Sequence, residues 1–421
     1  MTMIYALILF AVTYVLMLTF TKYRPYIALG SAVVFIATGM LPFDQIFGAI
    51  DWNVLLMIAG TMGLVQLFID SRMPARLADM IMLKVPNVQM AAVALALFAG
   101  IISAFVDNVA TVLMVAPVAL AICKKLKTNP VPFIIGIAVS SNLQGAATLV
   151  GDTTAIMLGS YADMSFLDFF WYKGRPGIFF AVELGAIASA LILAWLFRRE
   201  KDSIEQRGEL TPVTDYVPTV LLVGMIALLI SASFIPVKPD ITNGLICVSL
   251  FVIGMVYTFA RTRSADAFLG PIKSIDFETI GLLFGLFLVI GGITNMGVVD
   301  AAAGLLARMG GGNVFVIYTV IVWASVLFSA FIDNIPYVAT MLPVVTGLAS
   351  TLGIDPTLLY FGLLSGATLG GNCTPIGASA NITGIGILRR EGYEVKTGDF
   401  CRIGIPFTLA AVIPAYIYFW L

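Results

Sequence analysis

Asp107 and Asp333 stand in stretches of sequence otherwise too apolar to keep a charge. A mid-membrane aspartate costs about 2.5–3.5 kcal/mol on insertion scales, so a chain that carries two is expected to use them. Each is followed by an asparagine, and each sits in the same phrase: Ser103-Ala-Phe-Val-Asp-Asn108 and Ser329-Ala-Phe-Ile-Asp-Asn334. One chemistry open to such residues is the binding of a cation or a proton, with Na⁺ a candidate at Asp107, Asn108, Asp333 and Asn334. The plainer role is capping, because an Asp or Asn at a helix start accepts hydrogen bonds from free backbone N–H groups. Both hold together if Asn108 and Asn334 cap and the aspartates face a cavity.

Two further polar stretches interrupt long apolar runs. Ser141, Asn142, Gly145, Thr148, Gly151 and Asp152 fall inside 132–159, and Asn372, Thr374, Gly377, Ser379 and Asn381 inside 357–388. Such runs read as helices broken near mid-membrane. Unwinding frees carbonyls, which suit Na⁺, and N–H groups at a half-helix start, which suit an anion. Pro375 enforces the second break, since it cannot donate to a helix ladder. Close packing accounts for Gly and Ala but not for Asp152, Asn372 and Asn381 together, so the breaks are expected to bind substrate. The chain has no histidine, and any proton relay must therefore use carboxylates.

The elements that position these residues come in two copies. Residue 103 returns as 329, and the same offset of 226 carries Pro117 to Pro343, Gly145 to Gly371, Thr148 to Thr374 and Gly151 to Gly377. A duplicated unit with a carboxylate and a Gly-rich break in each copy points to a transport site at a repeat interface. The copies are unequal: Asp152 falls opposite Ala378, and Asn381 opposite Ala155. Asp107 and Asp152 are thus expected to form the main cation or proton locus, with more substrate contact at the second break.

Composition sets the class. The 421 residues are 60% hydrophobic and 11% charged, against about 25% charged in soluble domains. This is an all-α polytopic membrane protein whose partner is the lipid bilayer. A net charge of −1 implies no nucleic-acid partner. The four cysteines have no metal spacing and read as free thiols. With no metal cluster and no nucleophile–base pair, the chain is not expected to be an enzyme or to hold a cofactor. Met3–Phe20 has no basic leader and reads as a first span rather than a signal peptide.

Ten segments are long and apolar enough to span: roughly 3–20, 27–42, 53–70, 132–159, 177–197, 217–237, 241–260, 277–296, 357–388 and 402–421. The stretches 89–123 and 313–350, which flank the aspartates, read as re-entrant hairpins. Each arm of about 15 residues spans roughly 22 Å, short of the roughly 30 Å hydrocarbon core. With the N-terminus outside, all but Lys173, Arg175, Lys238 and Arg308 of the 23 basic residues fall in cytoplasmic segments, as the positive-inside rule expects. Each repeat then has five spans, one of them the broken helix, plus a hairpin, and the odd number of crossings inverts the second copy. The first repeat is 1–197, the cytoplasmic linker 198–216 and the second repeat 217–421. The termini lie on the non-cytoplasmic side of a cell inner membrane. Asp51 and Asp276 are expected to cap helices, and Glu183 to face water or a basic loop.

These motifs resemble the ArsB/NhaD branch of the ion transporter superfamily, which includes arsenite permeases, sodium/proton antiporters and P-protein-like and CitMHS-type permeases. The stretches that carry the resemblance are AFVDNVATVLMVAPV (104–118), GAATLVGDTTAIMLGS (145–160), SAFIDNIPYVATMLPVV (329–345) and GGNCTPIGASANITGIGILRREGY (370–393). It implies elevator-type alternating access, a scaffold that often forms a homodimer, and Na⁺ or H⁺ as coupling ion. For an arsenite exporter it also implies a cytoplasmic ATPase partner. It adds Thr111 and Thr153 to the ion and substrate residues. Related dicarboxylate carriers have Ser-Asn-Thr at both sodium sites, whereas the tips here read Asp-Asn-Val and Asp-Asn-Ile. The expected activity is therefore antiport or permeation of a small inorganic ion, and the alternative is Na⁺-coupled import of citrate or succinate.

Overall fold

The computed structural model describes residues 2–126, 128–198 and 210–421. Most of the expected linker lies outside the described residues. The first half folds as α1 (Thr2–Thr19), α2 (Arg24–Ala37), α3 (Ile46–Ala49), α4 (Trp52–Asp70), α5 (Met73–Met82), α6 (Val88–Ser103), α7 (Asn108–Leu126), α8 (Val131–Gly145), α9 (Thr153–Tyr161) and α10 (Ile178–Leu196). The second folds as α11 (Val217–Ser233), α12 (Thr242–Thr262), α13 (Ala265–Lys273), α14 (Phe277–Asn295), α15 (Val298–Met309), α16 (Val314–Ser329), α17 (Asn334–Leu352), α18 (Thr357–Gly370), α19 (Ser379–Arg390) and α20 (Thr397–Trp420). Trp171–Tyr172 and Arg175–Pro176 pair as a small antiparallel ribbon.

Equivalent helices start on equivalent caps. As expected, Asp51 accepts from the Val54 N–H and Asp276 from the Thr279 N–H, each at 3.0 Å. Asn87 and Asn313, also 226 apart, cap α6 and α16 through the N–H groups of Met90 and Phe315 (2.8 and 2.9 Å). These caps satisfy donors that a helix start leaves open.

The copies are related by inversion. Gly185 of α10 backs onto Ala411 of α20, its own equivalent, so closely that a Cβ there would lie 3.0 Å from the Ala411 carbonyl oxygen. Four residues later on α10, the Ser189 hydroxyl donates to Phe407, four residues earlier on α20 (3.0 Å). Two equivalent helices that touch at the same position and run in opposite directions define a two-fold axis between the halves. The halves also exchange partners: α2 packs on α14, and α4 on α12. Glycine makes these approaches possible, since a Cβ on Gly285 would meet the Ala28 backbone at 2.6 Å, and one on Gly60 the Cys247 backbone at 2.5 Å.

Among the described residues, six helices are long and apolar enough to cross a membrane. Five of them (α4, α10, α12, α14 and α20) fall on expected spans. α1 and α2 form a pair bent by 117°, as do α15 and α16, and counting each pair as one span gives eight. The sixth long helix is α17, and it corrects the argument from arm length. The first arms α6 and α16 have 16 residues, but the second arms α7 and α17 have 19, about 28 Å at 1.5 Å per residue. Arm length therefore does not define the hairpins. What defines them is where their tips end.

Candidate functional site

Each hairpin tip rests on the break of its own repeat. Thr148 and Thr374 donate to the carbonyls of Ala104 and Ala330, the first tip residues. A Cβ on Gly151 would lie 2.3 Å from the Gly145 oxygen and 2.9 Å from that of Ser103, and one on Gly377 would lie 2.6 and 2.7 Å from Gly371 and Ser329. Only glycine lets tip and break touch backbone to backbone.

The aspartates and asparagines have exchanged their expected roles. Asp107 caps α7, accepting from the N–H groups of Val109 (2.9 Å) and Ala110 (3.1 Å). Asp333 does the same for α17 through Ile335 (3.1 Å). Asn108 and Asn334 turn inward and fasten the tips. Asn108 accepts from the Ser103 hydroxyl (2.7 Å) and donates to Asn142 (3.2 Å). The Asn334 amide, with its nitrogen toward Gly377, donates to that carbonyl at 3.1 Å. An N-cap needs a short acceptor just before the first free N–H, and the aspartate is the residue in that place.

The two breaks meet at the axis. Asn142 donates to the carbonyl of Thr368, its own equivalent (2.7 Å), and to Asn372 Oδ1 (3.1 Å). Asn372 returns a bond to the Val139 carbonyl (2.9 Å). Ser141 ties α8 to the first tip through Ser103 and the Asn108 carbonyl, both at 3.0 Å. Asn381 closes the second break by donating to Gly371 and Thr374 (3.0 Å each). Many of the polar groups expected to meet substrate are thus engaged in holding unwound backbone together. Thr111 and Thr153 are buried, and the Thr111 hydroxyl points at the Val106 carbonyl (3.4 Å).

Two buried side-chain oxygens of the expected site residues stay unpartnered among the described residues, Asn381 Oδ1 and one on the carboxylate of Asp152. Asp152 caps α9 through Ala155 N (2.6 Å) and accepts from the Thr154 hydroxyl (2.8 Å), all with Oδ1. Its Oδ2 is buried with no hydrogen-bond partner within 3.5 Å among the described residues, and the Asn108 side chain is a polar neighbour beside the carboxylate. Asp107 lies within electrostatic reach of it. Asp276, the cap of α14, lies within reach of Asp107.

The second tip differs. Asp333 Oδ2 receives the Arg24 guanidinium at 3.1 Å and the Ser379 hydroxyl at 3.3 Å. Arg24 comes from the α1–α2 bend, which the charge pattern had assigned to a cytoplasmic turn. Tyr14 joins it, donating to the Pro336 carbonyl at 2.6 Å and contacting Thr340. Both were missed from sequence, because nothing local marks a partner more than 300 positions away. Exposure also divides the halves. Residues 141–159 are buried, whereas Phe331 and Ile376 beside the second tip are 60% and 57% exposed.

An open cavity of 1490 Å³ lies elsewhere, lined by Asp44, Asp51, Asn243, Asn295, Met157 and Pro343 among others. None of the expected site residues lines it. Glu183 is half-buried on α10 beside exposed Phe180 and Leu184.

The citrate transporter family, CitMHS, matches residues 6–364 and again 244–421. The chain belongs to this family. The second match begins inside the first. An uncharacterized transporter of Mycobacterium tuberculosis is 30% identical over 99% of this chain and 98% of its own length. A 46 kDa membrane protein of Mycobacterium leprae is 29% identical over 99% and 98%. The human P protein is 29% identical over 74% of this chain, which spans 46% of that longer protein. The Alcanivorax borkumensis YdaH transporter has the same fold, with a TM-score of 0.61 over 96% of this chain and 97% of its own at 14% identity. This CitMHS chain is a multi-pass membrane protein and a secondary transporter of the ion transporter superfamily.

Proposed function

We propose that the chain couples the movement of a small inorganic ion to a Na⁺ or H⁺ gradient, with the coupling cation held by Asp107, Asn108 and Asp152. The unpartnered, buried Oδ2 of Asp152 carries this reading. A buried carboxylate oxygen without a donor costs more than a fold tolerates idly, and a proton or a metal ion is what satisfies it. The nearby Asp107 supplies the second negative charge that makes a cation preferable to a neutral ligand.

Two features support an elevator. The hairpins and broken helices pack on one another, while α2, α4, α12 and α14 form exchanged pairs beside them. The amphipathic helices α5 and α15 join the two groups in each half. The second tip reaches Arg24, which the charge pattern puts at the cytoplasmic side. The large cavity lies at the opposite ends of α2 and α14, beside the expected outer loops 38–51 and 233–243. That arrangement fits a transport body displaced inward.

The test is flux in proteoliposomes with a panel of ions under imposed Na⁺ and pH gradients. Transport is expected to follow one of the two gradients, and Asp107→Asn and Asp152→Asn are expected to abolish that dependence while the protein still folds. Flux that ignores both gradients would overturn the reading. A second reading, import of citrate or a similar carboxylate, is favoured by the family's description and by Arg24 beside the second break. Saturable citrate uptake in the same liposomes would establish it.

A further inference from the structure

We propose that Arg24 is a tethered competitor for the coupling cation at the second hairpin tip. This rests on the cation coupling proposed above and extends it from the first tip to the second. The guanidinium sits on Asp333 Oδ2, the oxygen not used for capping, and that oxygen also receives Ser379. The ion pair is largely shielded, with side-chain exposures of 17% and 13%. Arg24 Nε is anchored on the Met17 carbonyl at 3.2 Å, so the charge is aimed rather than floating. The first tip has no such group. Pro25 against Gly281 is matched in the other half by Gly244 against Leu56, which makes Asn243 the counterpart of Arg24, and Asp107 has no ion-pair partner among the described residues.

A metal cation that coordinates Asp333 Oδ2 and Ser379 Oγ takes the place of the Arg24 nitrogen. Two positive charges on one shielded oxygen repel too strongly to coexist. Cation binding therefore expels Arg24, and cation loss lets it return. Arg24 belongs to α2, so its return pins the second tip to the opposite half of the molecule, with Tyr14 as a second contact. The competition thus makes an empty second site hold one position and a filled site free to leave it.

The test is an equilibrium Na⁺ titration of the full chain in lipid nanodiscs, read by intrinsic tryptophan fluorescence, with choline chloride holding ionic strength constant. Arg24→Leu, which removes the charge, is expected to lower the half-saturating Na⁺ concentration about tenfold, because apparent affinity scales with the fraction of sites that are free to bind. Arg24→Lys keeps a competing charge and is expected to stay near the parent. If the leucine variant does not fold, Arg24→Gln serves in its place. A normal response in the parent with no gain in the neutral variant overturns this proposal alone. No Na⁺ response in the parent or any variant brings down both this proposal and Na⁺ coupling, leaving the proton arm of the flux assay to decide the latter.

Discussion

Two glycines decide whether the site exists. Gly151 and Gly377 each lie where any side chain would strike a carbonyl of the break and a carbonyl of the hairpin at once. Overpacking of this kind costs about 1–3 kcal/mol when the obstacle is backbone. Gly151→Ala and Gly377→Ala are each expected to lower the melting temperature in detergent and to abolish flux. Gly386→Ala, where nothing lies within 4 Å of the added carbon, is the control. Unchanged melting and flux in both variants would mean that the tips do not rest on the breaks. The importance of these positions was legible, because the glycines recur at the repeat offset among polar residues. The division of labour between Asp and Asn was not. It depends on which carboxylate or amide folds back over the first turn, and neighbouring acceptors in a turn look alike in sequence.

The hairpin is an element whose existence was legible but whose dimensions were not. The phrase around Asp107 marks the tip, but the second arm continues to Leu126, past the apolar residues into Lys124 and Lys125. Helices run on through a charged end when the end has a partner: Lys124 meets Glu391 at the end of α19 (2.6 Å). The α10–α20 pair was legible only as two spans, since their contact requires the axis. That contact gives a test at this scale. Gly185→Leu forces α10 away from Ala411, and a melting temperature well below that of Gly224→Leu, whose site is open, is expected. Equal melting temperatures would place the two helices apart.

The whole molecule is divided by motion if the elevator reading holds, and Tyr14 against Thr340 spans the division. In a background with Cys123, Cys247, Cys373 and Cys401 replaced, Tyr14→Cys with Thr340→Cys is expected to be joined by a short bis-maleimide. Flux is then expected to stop after linking and to persist in either single variant. Full flux in the linked protein would exclude movement of the second hairpin against α1. The inverted duplication was readable from the repeat and the charge bias together. The Arg24–Asp333 pair was not, because it joins a bend in one half to a tip in the other, and no pattern along the chain records proximity across 309 positions.

Gly185 resting on Ala411 has a further meaning. A residue that touches its own counterpart across the axis needs no second gene to supply the partner surface. One half-length polypeptide, threaded into the bilayer in both orientations, would present the same face to itself and close the same pair. Fusion into one chain then freed each copy to diverge, which is how one tip could gain an arginine while the other kept a bare carboxylate.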